Sequence, residues 1–424
     1  MLAGLGIHLP MRVGGHMPAF WEITRGYVDL FFLLSGFLIG GISIDAKDSP
    51  RYFKRRNINK EFILGTNCIA LLGRKDEPTD ALEEYCLYLG SALQAHDIQL
   101  EITRFSWEIS GWPNALHGLV LQAKRWRGNV VLIQYTALGW SSRGVPWRVL
   151  RVLEVLKSAG ARVGIVFHDV EPYPGSRLLD SLRRSIQVRT MRSGLSMADL
   201  AVFTVPLERI TWLRAVPTST TFIPVGPNLP IPSQLSAGAR EDTTPTIGVF
   251  GITGGQAGAR ETEVILAAAR YASQTLGRLH LSVFGRHAEL READLRSGLQ
   301  DSPVELSVEG VVAPERVIQK LSACDVLLFV RGGISSRRGS AIAGLGCGLP
   351  VIAYSGSETA PPITDAGVVL VAADQPLQLQ TALVRVLSDT AYRNDLAARS
   401  RAIFQAHFAW PSIAARFASL VKPR

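Results

Sequence analysis

Residues 325–371 read DVLLFVRGGISSRRGSAIAGLGCGLPVIAYSGSETAPPITDAGVVLV, and the fold is decided here. An apolar run over 326–330 has the length and composition of a buried parallel strand. A turn rich in Gly, Ser and Arg follows over 331–339, then a helix-compatible stretch of small residues over 340–348. Gly348-Leu349-Pro350 stops that helix and releases a second strand over 351–354. Strand, loop, helix and strand in this order predict an α/β domain on a parallel sheet. The loop carries Ser335, Ser336, Arg337, Arg338, Gly339 and Ser340. Free N–H groups at a helix start, hydroxyls and guanidinium groups together make an anion site, most naturally for a diphosphate. A solvated basic loop fits the same residues.

At 424 residues the chain is long for one domain, and two or three are expected. Hydrophobic residues at 47% and charged ones at 19% exclude a disordered chain and supply a large core. The net charge of +9 points to acidic partners: nucleotide phosphates, anionic lipid or nucleic acid. The basic residues are spread, without zinc spacing, RNA-binding aromatic signature or recognition-helix pattern, so nucleic acid is not expected. Cys68, Cys86, Cys324 and Cys347 are scattered in mostly apolar settings and read as reduced core residues.

Upstream, residues 62–72 read as a buried first strand. It ends in a polar turn with Arg74, Thr79 and Asp80, and either of the last two can cap the helix that Leu82, Cys86, Leu89 and Leu93 outline. Further strands are expected over 130–135 and 162–167, with a helix from Pro146 to Ser158 between them. The second of these delivers His168 and Asp169 into the loop VFHDVEPYPG, at the strand end where open α/β sheets place ligand contacts. A loop histidine bonded to backbone is the plain alternative. Strands over 200–204 and 221–224 follow, then a linker rich in Pro, Ser and Thr.

Past the linker, a strand over 246–250 opens into a Gly-rich loop with Gly254, Gly255 and Arg260, where backbone can approach a ligand closely. A strand over 280–284 ends in Gly285-Arg286, and residues 306–312 contain Glu309. Glu358 and Thr359 lie in the loop after the 351–354 strand. Helical periodicity runs over 377–404, and 410–421 is a final helix.

The segment ending Cys347-Gly348-Leu349-Pro350-Val351 resembles the donor-binding element of retaining glycosyltransferases of the GT-B fold, family 4. The turn Val225-Gly226-Pro227-Asn228 is similar to the one with which that family closes its first domain. The resemblance spans about residues 60–424. It implies two Rossmann-like domains facing a cleft, a nucleotide-sugar donor as co-substrate, no cofactor and no metal. It also implies diphosphate contacts from Gly254, Gly255, Arg260 and residues 335–340, with His168 near the transferred sugar as the catalytic candidate. Arg286, Glu309, Glu358 and Thr359 become candidates for base or sugar contacts, and Arg74, Thr79 and Asp80 for the cleft loop of the first domain. One departure matters: the family's paired glutamates fall on Ser335 and Ala343. Residues 335–340 instead resemble a Ser-x-Arg-Arg-Gly-Ser form found in a subset.

The first sixty residues are of another kind. Residues 29–44, DLFFLLSGFLIGGISI, form an apolar run at the lower edge of what crosses a bilayer, followed by Arg51, Lys54, Arg55 and Arg56. Residues 26–39 with the basic RYFKRR resemble a signature of the acyltransferase-3 family of membrane O-acyltransferases. Nothing later in the chain is long and apolar enough for the many spans such an enzyme needs, so a truncated fragment acting at most as an anchor is expected. His8 and His16 are read as remnants or surface residues, not as catalysts.

The expected class is therefore α/β, GT-B, with an N-terminal hydrophobic helical segment. The boundaries are 1–60 (membrane segment), 61–230 (acceptor domain), 231–245 (linker), 246–408 (nucleotide-sugar domain) and 409–424 (a helix packing back on the first domain). The expected activity is transfer from a nucleotide-sugar to a glycan or lipid-linked acceptor, in bacterial surface polysaccharide synthesis at the cytoplasmic face of the inner membrane. Two rivals stand beside it: a degenerate, non-catalytic sugar- or nucleotide-binding protein, and a membrane O-acyltransferase fragment.

Overall fold

Short apolar runs alternate with amphipathic helices along the chain, and most of these runs form strands covered on both faces. The structure, a computed structural model, describes residues 66–75, 80–173, 178–217, 219–232 and 244–422. The apolar run 29–44, the acyltransferase-like segment, Thr79 and most of the expected linker lie outside these residues. Among the described residues no helix is long and apolar enough to cross a membrane.

The first domain runs β1 (Thr66–Leu72), α1 (Ala81–Leu93), β2 (Ile98–Arg104), α2 (Trp107–Ala123), β3 (Val130–Tyr135), α3 (Val149–Ser158) and β4 (Arg162–Phe167). α4 (Leu178–Met197), β5 (Leu200–Phe203) and β6 (Thr220–Phe222) complete it. All its strands are parallel, in the order β2-β1-β3-β4-β5-β6. The second domain runs β7 (Thr246–Phe250), α5 (Gly255–Leu276), β8 (Leu279–Phe284), α6 (Glu292–Leu299), β9 (Val304–Glu309), α7 (Pro314–Ser322), β10 (Val326–Gly333) and α8 (Gly339–Gly346). β11 (Val351–Tyr354), β12 (Val368–Val371), α9 (Pro376–Ser388) and α10 (Thr390–Ile403) follow. Its parallel sheet has the order β12-β11-β10-β7-β8-β9. A π-helical turn, Phe404–Phe408, leads into α11 (Trp410–Val421). These are two Rossmann-like domains.

Strand order reverses between β1 and β3 in the first sheet and between β7 and β10 in the second. Loops leaving the C-terminal ends of those strands border the crevices where α/β sheets bind ligands. Local sequence positions them. Asp80 caps α1 by accepting from the N–H groups of Leu82 and Glu83, and Pro314 opens α7, where its missing N–H has no helical partner to lose.

Some elements differ from the sequence reading. β10 runs on to Gly333, because the pairing with β11 shifts register between Phe329 and Gly333. Arg331 is thus a strand residue, and the turn is shorter than 331–339. The periodic stretch 377–404 is two helices: Asp389 leaves helical geometry (φ −95°, ψ 93°) and caps α10 through the Tyr392 N–H. The strand expected over 306–312 spans Val304–Glu309. β2 and α2 carried too little signal to anticipate: β2 buries only Ile98 fully, and α2 is kinked at Gly111 (φ +75°) ahead of Pro113.

One apolar core passes through both domains, joining Cys68, Ala70 and Leu89 to Phe329, Ile342 and Phe417. α11 packs against α1 in the first domain. Trp410 stacks on Tyr88 (centroids 5.7 Å apart), meets Tyr85 edge-on (5.4 Å) and donates its indole N–H to Pro227 O (2.7 Å). Arg162 donates to the Leu420 and Val421 carbonyls at 2.9 and 3.3 Å, placing a cation on the negative end of α11.

Candidate active site

Two loops meet at the switch point of the second sheet. The first leaves β7 through Gly251, whose φ of +78° lies in the region open to glycine. A guanidinium packs against it: a Cβ added at Gly251 would stand 3.0 Å from Arg331 Nη1. Thr253 donates its N–H (2.8 Å) and hydroxyl (2.5 Å) to the Glu261 carboxylate, which reaches back from α5 and fixes the loop. Gly254 is the N-cap and Gly255 the first residue of α5, so bare N–H groups front the crevice.

The second loop leaves β10. Arg331 is 5% exposed, and its Nε has no hydrogen-bond partner. Arg338 is half-buried and donates from Nε to Gly333 O at 3.3 Å. Burial, then the charge of Arg337, pushes it down to about 10, so it remains a cation at neutral pH. Ser340, in the first turn of α8, is 1% exposed and its Oγ is also without a partner. The charge of Arg286, beyond β8, is felt at Arg331. Among the described residues, Arg286, Arg331, Arg337 and Arg338 gather with Glu261 and Glu358 around this point. Guanidinium groups beside two helix N-termini make an environment for an anion.

Ser336 and Arg337 do different work. Arg337 grips Glu358 as a fork, Nη2 to Oε1 at 2.5 Å and Nε to Oε2 at 2.7 Å, and Ser335 Oγ donates to the same carboxylate at 3.2 Å. Arg337 Nη1 also reaches the first domain, donating to His168 O at 3.2 Å. Ser336 Oγ donates to Thr204 O (2.8 Å), and its carbonyl accepts from Val225 N–H (3.1 Å). These contacts clamp the loop 335–340 to the ends of β4 and β5. Glu358 stays below its ordinary range despite burial, chiefly through the charge and hydrogen bonds of Arg337.

His168 lies at the end of β4. Burial, helped by Arg337, pushes its pKa down to about 3, so the ring is neutral. Its Nε2 is 2.9 Å from Gln134 Oε1, which places the ring proton on Nε2, and Tyr85 meets the ring edge-on at 5.0 Å. A neutral ring committed to Gln134 can orient a ligand but is no proton donor from its imidazolium form. Next to it, Asp169 Oδ2 accepts from the Ala137 N–H at 2.8 Å, and burial raises the carboxyl to about 6.

The other candidates are more ordinary. Arg260 lies on the exposed side of α5, while its neighbour Glu261 turns inward. Glu309 pairs with Lys320 (2.5 Å) and Arg316 (3.2 Å). Thr359 Oγ1 donates to Ile334 O (2.5 Å) and accepts from Gly356 N–H (2.8 Å), which ties down its loop. Arg74 is 3.7 Å from Glu108, and Asp80 adds an ion pair with Arg104 (3.0 Å) to its capping role. The sequence reading missed Arg331, Glu261, Gln134 and Glu84. Glu84, on α1, accepts from Asn228 at 3.3 Å and is raised to about 7, mainly by burial. Its helical spacing from Asp80 was the available signal for a position facing inward. Among the described residues no three His, Cys, Asp or Glu side chains are grouped to hold a metal ion.

No protein-family model matches the chain, and no curated protein is similar enough to align with it. Solved structures do resemble it. Anabaena HepE, in complex with UDP and glucose, aligns over 84% of this chain and 98% of its own, at 13% identity and a TM-score of 0.55. Sucrose-phosphate synthase from Thermosynechococcus elongatus aligns over the same shares at 18% identity and a TM-score of 0.60. WaaG, a glycosyltransferase involved in lipopolysaccharide biosynthesis, aligns over 84% of this chain and 100% of its own, at 14% identity and a TM-score of 0.53. The likeness establishes the two-domain fold of GT-B glycosyltransferases for this chain.

Proposed function

We propose that the chain is a retaining, metal-independent glycosyltransferase of the family 4 kind, moving a sugar from a nucleotide-sugar to a glycan or lipid-linked glycan. The observation that carries this reading is the pair of unpartnered buried groups at the second switch point, Arg331 Nε and Ser340 Oγ, set among guanidinium groups. As the bond from sugar to diphosphate breaks, negative charge grows on the leaving oxygen. Arg331, Arg338 and the starts of α5 and α8 offset it without rearranging. His168, neutral and fixed by Gln134, would orient the transferred sugar. UDP-sugars are the first donors to try, since HepE is seen with UDP and glucose. Retention rests on the resemblance of residues 335–351, and a role in bacterial surface polysaccharide at the inner membrane on that resemblance and the apolar run 29–44.

The test is nucleoside diphosphate release from UDP-, GDP-, ADP- and TDP-sugars by the full-length chain, with and without EDTA. Release from one donor that survives EDTA and is lost in Arg338→Ala and His168→Ala supports the proposal. Turnover at the parent rate in both variants would overturn the residue assignment. A second reading, binding without catalysis, is favoured by Ser335 and Ala343 at the glutamate positions and by the commitment of Glu358 to Arg337. Donor binding without release in the presence of any acceptor would select it.

A further inference from the structure

We infer that Tyr135, Asp169 and Tyr173, at the C-terminal ends of β3 and β4, form a subsite for the hydroxyl groups of a sugar. The idea rests on the glycosyltransferase reading for its place in catalysis, but its chemistry comes from the residues. Tyr135 Oη, Asp169 Oδ1 and Tyr173 Oη are all buried and all lack a hydrogen-bond partner. Side chains this buried, 2%, 4% and 9% exposed, are ordinarily satisfied.

The backbone brings the three together. β3 and β4 pair in parallel with Tyr135 opposite Phe167, and Tyr135 O accepts from the N–H groups of His168 (3.0 Å) and Asp169 (3.4 Å). Asp169 Oδ2 is held by the Ala137 N–H, which aims Oδ1 elsewhere, and Tyr173 packs on Ala137 and Leu138. Tyr173 is fixed in turn through its own N–H, which donates to Gln187 Oε1 at 3.0 Å. Both phenols are raised, by burial first and then by the Asp169 charge, in keeping with their closeness to it.

The charges choose the ligand class. Asp169 repels an anion, while Arg337, whose charge acts on Asp169 from the clamp loop, disfavours a cation. What remains is a neutral ligand that can donate to a carboxylate and exchange hydrogen bonds with two phenols, as neighbouring sugar hydroxyls do. Arg337, whose charge acts on Asp169, donates to His168 O beside this point and so ties it to the second domain.

The test uses the full chain with Tyr135→Phe and Tyr173→Phe, each of which deletes only an unpaired hydroxyl and should leave stability equal or higher. Asp169→Asn is a third variant. Binding of methyl glycosides of glucose, mannose, galactose and N-acetylglucosamine is measured by saturation-transfer NMR with UDP present, and UDP and UDP-glucose binding by calorimetry. The expected result is a dissociation constant for one methyl glycoside, or for UDP-glucose, raised about fivefold in each Phe variant and about thirtyfold in Asp169→Asn. UDP affinity stays within twofold. A response of the methyl glycoside identifies an acceptor sugar, and a response of UDP-glucose alone identifies the donor's sugar. Parent affinity for every sugar in both Phe variants, or no sugar binding by the parent, overturns the subsite and leaves ordered water as its occupant. Failure of UDP to bind while a methyl glycoside responds to the variants would sink the donor proposal and leave the subsite standing.

Discussion

Arg331→Met isolates the diphosphate contribution of one side chain. The guanidinium is buried with Nε unpaired, so the unliganded protein gives up no described hydrogen bond from that atom. Glu261 loses a favourable charge, which moves its pKa further in the direction burial already pushes it, but keeps both bonds from Thr253. The unliganded melting temperature should therefore move by no more than about 2 °C. Binding is another matter. A hydrogen bond to a charged group contributes about 1.5–3 kcal/mol, or about 10- to 150-fold in affinity. At about 100 times the parent dissociation constant, the nucleoside diphosphate stabilises the parent by about 2.7 kcal/mol. A variant that binds about thirtyfold more weakly keeps about 0.9 kcal/mol at the same concentration. The lost 1.8 kcal/mol or so appears as a ligand-induced melting shift about 2–3 °C smaller. Scanning fluorimetry with and without nucleotide reads both quantities, and Arg331→Lys should fall between parent and Met. A full nucleotide shift in Arg331→Met would refute the placement of the diphosphate at this residue.

Three further outcomes are expected. Arg337→Ala leaves the Glu358 carboxylate without its guanidinium partner and with only the Ser335 hydroxyl bonded to it, and should destabilise the protein by about 3–5 kcal/mol in urea unfolding, whereas the Arg337→Ala/Glu358→Gln double variant recovers part of that loss. Glu84 has a folded pKa raised to about 7 from 4.5, so protonation favours the folded state. Its contribution is full below about pH 4.5 and is lost as pH rises to about 7. After allowance for screening at this half-buried site, Glu84→Gln should exceed the parent by on the order of 1–2 kcal/mol at pH 8 and match it near pH 4.5, as read by melts at both values. Trp410→Phe keeps a ring on Tyr88 and loses the bond to Pro227 O, a change of about 1 kcal/mol in chemical denaturation.

The two parallel sheets were legible because buried parallel strands read as apolar runs, and β4, β7, β11 and α11 start and stop where composition changes. The limits of β10 were not, since Gly332 and Gly333 look like a turn and become strand only through the register shift against β11. That one error hid Arg331. In the same way, the sequence pointed to the loop 335–340 but could not divide its labour. Arg338 and Ser340 border the crevice, while Ser336 and Arg337 clamp the domains together, and only their partners in the first domain, Thr204 and His168, reveal this. Arg260 and Glu261 are adjacent in sequence, and helix phase alone decides which of them turns inward.

The most direct test of the central claim is a crystal structure of the full chain with the nucleoside diphosphate of its preferred donor. β-Phosphate oxygens are expected within about 3 Å of Arg331 Nε and Ser340 Oγ. The Arg337–Glu358 pair should stay intact beside the ligand. A diphosphate bound anywhere else in the cleft, with both groups still unpartnered, would contradict the claim.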